Sequence, residues 1–279
     1  MSKSSRKKII AVGCSYTEDV YKFPVWPTLL AETLDMDCVN LGAQGAGNEE
    51  MLAKTLDVVL NQKNIGLVVI MWSEWQRMDF QLWPRKWDHW WHVHPMRKAG
   101  PGWERYVERS GYVPEFQRNV NEWSPNLLGA NTPHHAANRA LRTFIYSQKL
   151  LKNIPYIFLQ GPTPMPFYNV KTLSYIDCSE NGPNGEVADF QKNNNSRQQT
   201  ALALSFSPYL EYIDNNISEK FIGWPIFSEL GGYDIDNILD IADPERSEMR
   251  ISEDDTHPNG LGHKMIAEEI YNAYAKIYT

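Results

Sequence analysis

The chain of 279 residues has only three cysteines, Cys14, Cys38 and Cys178, so they cannot all pair with one another. A disulfide-stapled secreted scaffold is disfavoured and a reducing compartment fits better. It has no uninterrupted apolar run near the roughly 20 residues of a membrane span. The basic opening Met-Ser-Lys-Ser-Ser-Arg-Lys-Lys is followed only by Ile9 to Val12 and Gly13 before polar Cys14-Ser15, too short for a signal-peptide core. Positive charge is also scarce: 27 Lys and Arg stand against 34 Asp and Glu, a formal charge of -7, which leaves no broad basic field for a phosphate backbone. These shortages lead us to expect a cytoplasmic protein, with assembly into a larger particle still open and with neither nucleic acid nor membrane as partner. Repeats of fixed period, a Walker pattern and a full Gly-X-Gly-X-X-Gly are all missing.

The composition is that of an ordinary folded chain, 42% hydrophobic and 22% charged. Lys8–Val12 is a short β-branched run stopped by Gly13, Cys38–Leu41 a second, and 67–72 (Leu-Val-Val-Ile-Met-Trp) the strongest strand signal, apolar throughout as in a parallel strand covered on both faces. Between them lie helical stripes, one from about Pro27 to Leu34 and one opening at Asn48, read as an N-cap before Glu49 and Glu50. A helix from about His134 to Asn153, a strand at Tyr156–Gln160, a helix near 200–217, a strand near 221–224 and a final helix from about Leu261 to Ile277 complete the pattern. The alternation predicts an α/β fold, a doubly wound, mainly parallel sheet flanked by helices in three layers. We expect a single domain over 1–279 with a Trp-rich insertion or lid at 76–133. In such sheets ligands bind beyond the carboxyl ends of the strands, where Ser15, Gly45 and Ser73 fall.

Two distant segments stand out there: Gly13-Cys14-Ser15-Tyr16-Thr17 after the first strand and 254–259 (Asp-Asp-Thr-His-Pro-Asn) before the last helix. A lone Ser is ordinarily a turn residue and a lone loop His ordinarily solvated; together they supply a nucleophile and the base it needs. Ser15 would attack, His257 would take its proton, and Asp254, three residues earlier, would hold the imidazole's tautomer. Asp255, at a spacing of two, competes for that last role. The amides of Ser15 and Gly45 can hold an oxyanion, since glycine lets the backbone approach a reacting carbonyl.

These segments resemble the blocks of the SGNH, or GDSL-like, serine hydrolase and esterase family, in order and over nearly the whole chain. Gly13 to Thr17 resembles the nucleophile block, with Cys14 where the family has Asp. Residues 40–45 (Asn-Leu-Gly-Ala-Gln-Gly) look like the second, whose glycine amide serves the oxyanion, and Asp254 to Asn259 with Gly262-His263 matches the acid/base block. The third block departs: the family's Gly-X-Asn-Asp reads Trp72-Ser73-Glu74-Trp75-Gln76-Arg77 here, with Trp75 where an Asn should donate. The indole N–H of Trp75 or the amide of Gln76, one place on, would have to substitute. Loss of one such donor costs about 10²- to 10³-fold in rate. The resemblance implies an ester hydrolase working through Ser15, His257 and Asp254. We expect it to remove a short acyl group such as acetyl from a small-molecule or carbohydrate ester, the carbohydrate suggested by the tryptophans beside the third block, with no cofactor. The competing class is a non-catalytic glycan-binding or assembly protein on the same scaffold.

Other readings attach to the remaining motifs. Cys14 could be the nucleophile, although its position suggests burial beneath the site. The glycines at 45 and 47 could shape a phosphate-binding loop. His89, His92 and His94 with Asp88 have the types of metal ligands, but no second cluster in the sequence completes a site, so no metal is expected. The tryptophans between Trp83 and Trp123 fit an insertion core, an interface or platforms for sugar rings.

Overall fold

The computed structural model describes residues 6–81, 90–93, 132–164, 168–169, 174–175, 195–252 and 255–279. Its elements are β1 (Lys8–Gly13), α1 (Trp26–Thr33), β2 (Asp37–Asn40), α2 (Asn48–Asn61), β3 (Ile65–Trp72), β4 (Met78–Gln81), β5 (Trp90–Val93) and α3 (Pro133–Leu150). There follow β6 (Tyr156–Gln160), the two-residue strands β7 (Tyr168–Asn169) and β8 (Ser174–Tyr175), α4 (Asn195–Ser205), α5 (Leu210–Asn216), β9 (Phe221–Ile222), α6 (Ile235–Ala242) and α7 (Gly260–Tyr278).

Five strands form one parallel sheet in the order β2-β1-β3-β6-β9, the α/β architecture that the alternation of apolar runs and helical stripes predicts. From β1 the chain crosses through α1 to β2, then through α2 back past β1 to β3. With crossovers of one hand these opposite directions put α1 and α2 on opposite faces. Accordingly α1 packs with α7, and α2 with α3. Ile9 to Val12 of β1 and Leu67 to Trp72 of β3 are wholly buried, as strands covered on both faces must be. Trp72 anchors one layer through ring contacts with Phe144 of α3 and Phe158 of β6.

The chain reverses direction across the sheet between β1 and β3, whose carboxyl ends are level, with Gly13 paired to Met71. Such a reversal is where α/β sheets bind ligands, and Ser15 and Ser73 follow their strands there.

Several local readings differ from the structure. Asn48 is the first residue inside α2 rather than its cap; Gly47 is the cap and has no side chain to offer. The helix expected near 200–217 is two, α4 and α5. Helix α6 was not anticipated, although Asp234 and Asn237 form a reciprocal capping box at its start. Of the region 76–133, only the β4–β5 hairpin and a few flanking residues are described, so the expected lid lies mostly outside the described residues. None of the described helices is long and apolar enough to cross a membrane.

Candidate active site

The turn after β1 is closed by the carbonyl of Cys14, which accepts from the backbone N–H groups of Thr17 and Glu18. This tight reversal buries the Cys14 side chain completely and leaves Ser15 9% exposed. The neighbouring block is tied to the same turn by Asn40, whose Nδ2 donates to the Thr17 carbonyl at 2.7 Å while its Oδ1 accepts from Gly42 N–H at 2.9 Å. Gly45, in the next turn, has φ of 80°, a left-handed conformation that glycine adopts without a Cβ penalty.

His257 arrives from the loop between α6 and α7, and Asn259 explains that loop's shape. Its Oδ1 caps α7 by accepting from Leu261 and Gly262 N–H, and its Nδ2 donates to the carbonyls of Glu248 and Arg250. One side chain thus fastens the helix start to the preceding strand-like segment, where Ile251 N–H also donates to the His257 carbonyl.

Behind the loop lies a buried charge network that the sequence reading missed. The Arg250 side chain, 2% exposed, donates through Nη1 to Asp236 Oδ1 at 2.9 Å and to the Thr256 carbonyl at 2.8 Å, and through Nη2 to Asp240 Oδ1 at 2.8 Å. Burial alone would lower the guanidinium pKa, but the carboxylates of Asp236 and Asp240 outweigh it and raise the value. Tyr16 donates its hydroxyl to Asp236 at 2.9 Å; burial first, and the charge of Asp236 second, push its pKa well up and keep the phenol protonated. Its ring lies against His257 with centroids 5.3 Å apart. Asp236 and Asp240 are one helical turn apart on α6, so the capping box at Asp234 was the sequence signal that could have located them.

The structure brings Ser15 and His257 together: Oγ lies 2.8 Å from Nε2. On the other side of the ring, Nδ1 lies 2.6 Å from Asp255 Oδ1, which also accepts from the His257 backbone N–H at 3.1 Å. A proton on Nδ1, shared with the carboxylate, leaves Nε2 as the acceptor facing the seryl hydroxyl. Asp254, favoured by its spacing from His257, lies outside the described residues; the carboxylate seen on the ring is that of Asp255.

Trp75 requires a correction. Its indole N–H donates to Gln160 Oε1 at 3.1 Å and its ring packs edge-on against Phe144 and Phe227, leaving the residue 1% exposed. An indole committed to the core does not serve an oxyanion at Ser15. Gln76 beside it is completely buried. Asn48 has a role its sequence position did not announce: Oδ1 accepts from Ser73 N–H at 2.9 Å, joining the start of α2 to the end of β3.

Close by, His263 is fully buried against the stacked rings of Tyr21 and Phe23, and its Nδ1 accepts from Trp26 N–H at 3.3 Å. Burial, with a smaller contribution from the charge of His257, lowers its pKa from 6.5 to about 4. The unfolded chain therefore binds this proton at a higher pH than the folded one. The native state's advantage is complete above about pH 6.5 and is lost as pH falls towards 4, by roughly 3 kcal/mol in all. Melting temperatures followed from about pH 7 to pH 4.5 should drop more steeply for the native chain than for His263→Asn, whose amide oxygen can replace Nδ1 as acceptor; parallel curves would refute this.

No protein-family model matches the chain, and no curated protein sequence does. Among solved structures the chain is similar to a protein from Desulfitobacterium hafniense DCB-2 described as lipolytic and of the G-D-S-L family. That likeness has a TM-score of 0.44 at 14% identity, over 96% of this chain and 99% of that one. A member of the lipolytic G-D-S-L family from Veillonella parvula DSM 2008 gives a TM-score of 0.43 at 12% identity, over 98% of each chain. An SGNH-hydrolase family esterase gives 0.38 at 15%, over the full length of both.

Proposed function

We propose that the chain is a serine ester hydrolase of SGNH type that works through an acyl-enzyme. The observation that carries this reading is the placement of His257 between Ser15 and a carboxylate, with Nε2 at 2.8 Å from Oγ and Nδ1 at 2.6 Å from Asp255. Ser15 Oγ adds to the acyl carbonyl as its proton passes to Nε2. The imidazolium, steadied by Asp255, returns that proton to the departing alcohol, and water then releases the acid by the same route. The backbone N–H groups of Ser15 and Gly45 are the proposed oxyanion donors, with the Trp75 indole and the Gln76 amide both buried. A short acyl group on a carbohydrate or other small polar alcohol is the substrate we propose.

An active-site-directed fluorophosphonate reacts with an activated serine whatever the natural alcohol. Labelling of the native chain at Ser15, located by peptide mapping and lost in His257→Ala, is the expected outcome. A folded chain that stays unlabelled would point instead to a binding or assembly protein on this scaffold.

A further inference from the structure

Away from Ser15, three ionisable side chains from three elements converge at the start of α2. Asp79 of β4 and His92 of β5 are paired across their hairpin, and Glu50 lies in the first turn of α2. Asp79 takes the place of the capping side chain that Gly47 lacks: Oδ1 accepts from Gly47 N–H and Oδ2 from Glu50 N–H, each at 3.0 Å. A Cβ on residue 47 would come within 2.5 Å of Oδ2, so only glycine admits the carboxylate there. Both oxygens are thus held by backbone, and the group is rigid.

His92 lies between the two acids, with Nδ1 at 3.0 Å from Asp79 Oδ1 and Nε2 at 3.3 Å from Glu50 Oε2. Glu50 Oε1 is paired with Lys54 at 2.7 Å, but Oε2 is buried without a hydrogen bond in a side chain only 3% exposed. A buried carboxylate oxygen left in this state is costly unless a positive charge or donor answers it. One ligand atom from each of Glu50, Asp79 and His92 can be chosen so that all lie within 4.8 Å of one another. Glu50 and His92 also line a cavity of about 550 Å³ that borders Gly42 and Ala43, which supplies an entry path.

We propose that Glu50, Asp79 and His92 bind one divalent transition-metal ion, zinc foremost. An imidazole with two carboxylates suits zinc better than calcium or magnesium, which prefer all-oxygen shells, and three protein ligands leave a fourth position open for water. The ion fastens the β4–β5 hairpin to the first turn of α2, next to the Gly45–Gly47 loop. The histidine tract offered no second cluster in the sequence; the fold brings Glu50 and Asp79 to His92, while Asp88, His89 and His94 lie outside the described residues. This site is independent of the chemistry proposed at Ser15.

The test uses the whole chain, stripped with a chelator and titrated with zinc chloride by calorimetry, with thermal melting in parallel. One equivalent should bind with micromolar or tighter affinity and raise the melting temperature. Glu50→Gln and His92→Asn, checked for fold by circular dichroism, should each weaken binding by about 10- to 100-fold and lose the thermal shift. If the native chain takes up no stoichiometric zinc, or if both variants bind as it does, the proposal is overturned. His92 would then be an imidazole held between two acids as a structural contact. Should one variant fail to fold, the other still decides, and no outcome depends on whether Ser15 is labelled.

Discussion

Ser15→Ala is expected to lower the turnover of p-nitrophenyl acetate by about 10⁴-fold or more while leaving KM within a few-fold of native. The hydroxyl is the atom that forms the acyl bond in the proposed reaction, and nothing else within the described turn can replace it. Cys14 is wholly buried, so its thiol is not available as a substitute nucleophile. The substitution removes one oxygen from a turn whose closing hydrogen bonds are all backbone, from Thr17 and Glu18 to Cys14, so the fold should persist. Whatever rate remains measures the oxyanion donors and binding alone. The experiment compares initial rates of nitrophenol release with circular dichroism of both proteins; equal turnover would remove Ser15 from the mechanism.

Asp255→Asn should cost about 10³- to 10⁴-fold in kcat, and Asp254→Asn only a few-fold. A carboxylate at 2.6 Å from Nδ1 both selects the tautomer and stabilises the imidazolium; an amide can do the first only if it turns its oxygen to the ring, and cannot do the second. The Asp255 side chain is 45% exposed, and water screening favours the lower end of that range. Spacing from His257 argues for Asp254 and geometry argues for Asp255, so the pair of variants separates the two. A collapse of kcat in Asp254→Asn with Asp255→Asn near native would assign the orienting role to Asp254.

Much of the scaffold is legible in the chain because its elements are long and periodic. The run 67–72 could only be a strand covered on both faces, and Tyr156–Gln160 is bounded by the turn signal Gly161-Pro162 on its far side. The α6 helix escaped notice because eight residues give barely two turns of pattern, and its signal lay in a cap rather than a stripe. With α6 went Asp236 and Asp240, and so the network around Arg250 that braces the His257 loop. That network joins residues far apart in sequence, for which neither period nor motif gives a cue.

The site divides in the same way. Local chemistry singled out Ser15 and His257 as partners, one after a strand and one before a helix, and the order of strands along the chain placed Ser15, Gly45 and Ser73 at one edge of a parallel sheet. Only the tertiary structure decided that Asp255 sits on the imidazole, that the Trp75 indole turns inward to Gln160, and that Glu50 and Asp79 meet His92. The reason is physical. Element type follows from short-range periodicity and turn chemistry, which a sequence displays directly. Which side chain meets which depends on the path of a loop and on packing between distant elements, where a shift of one residue changes the partner without changing the pattern.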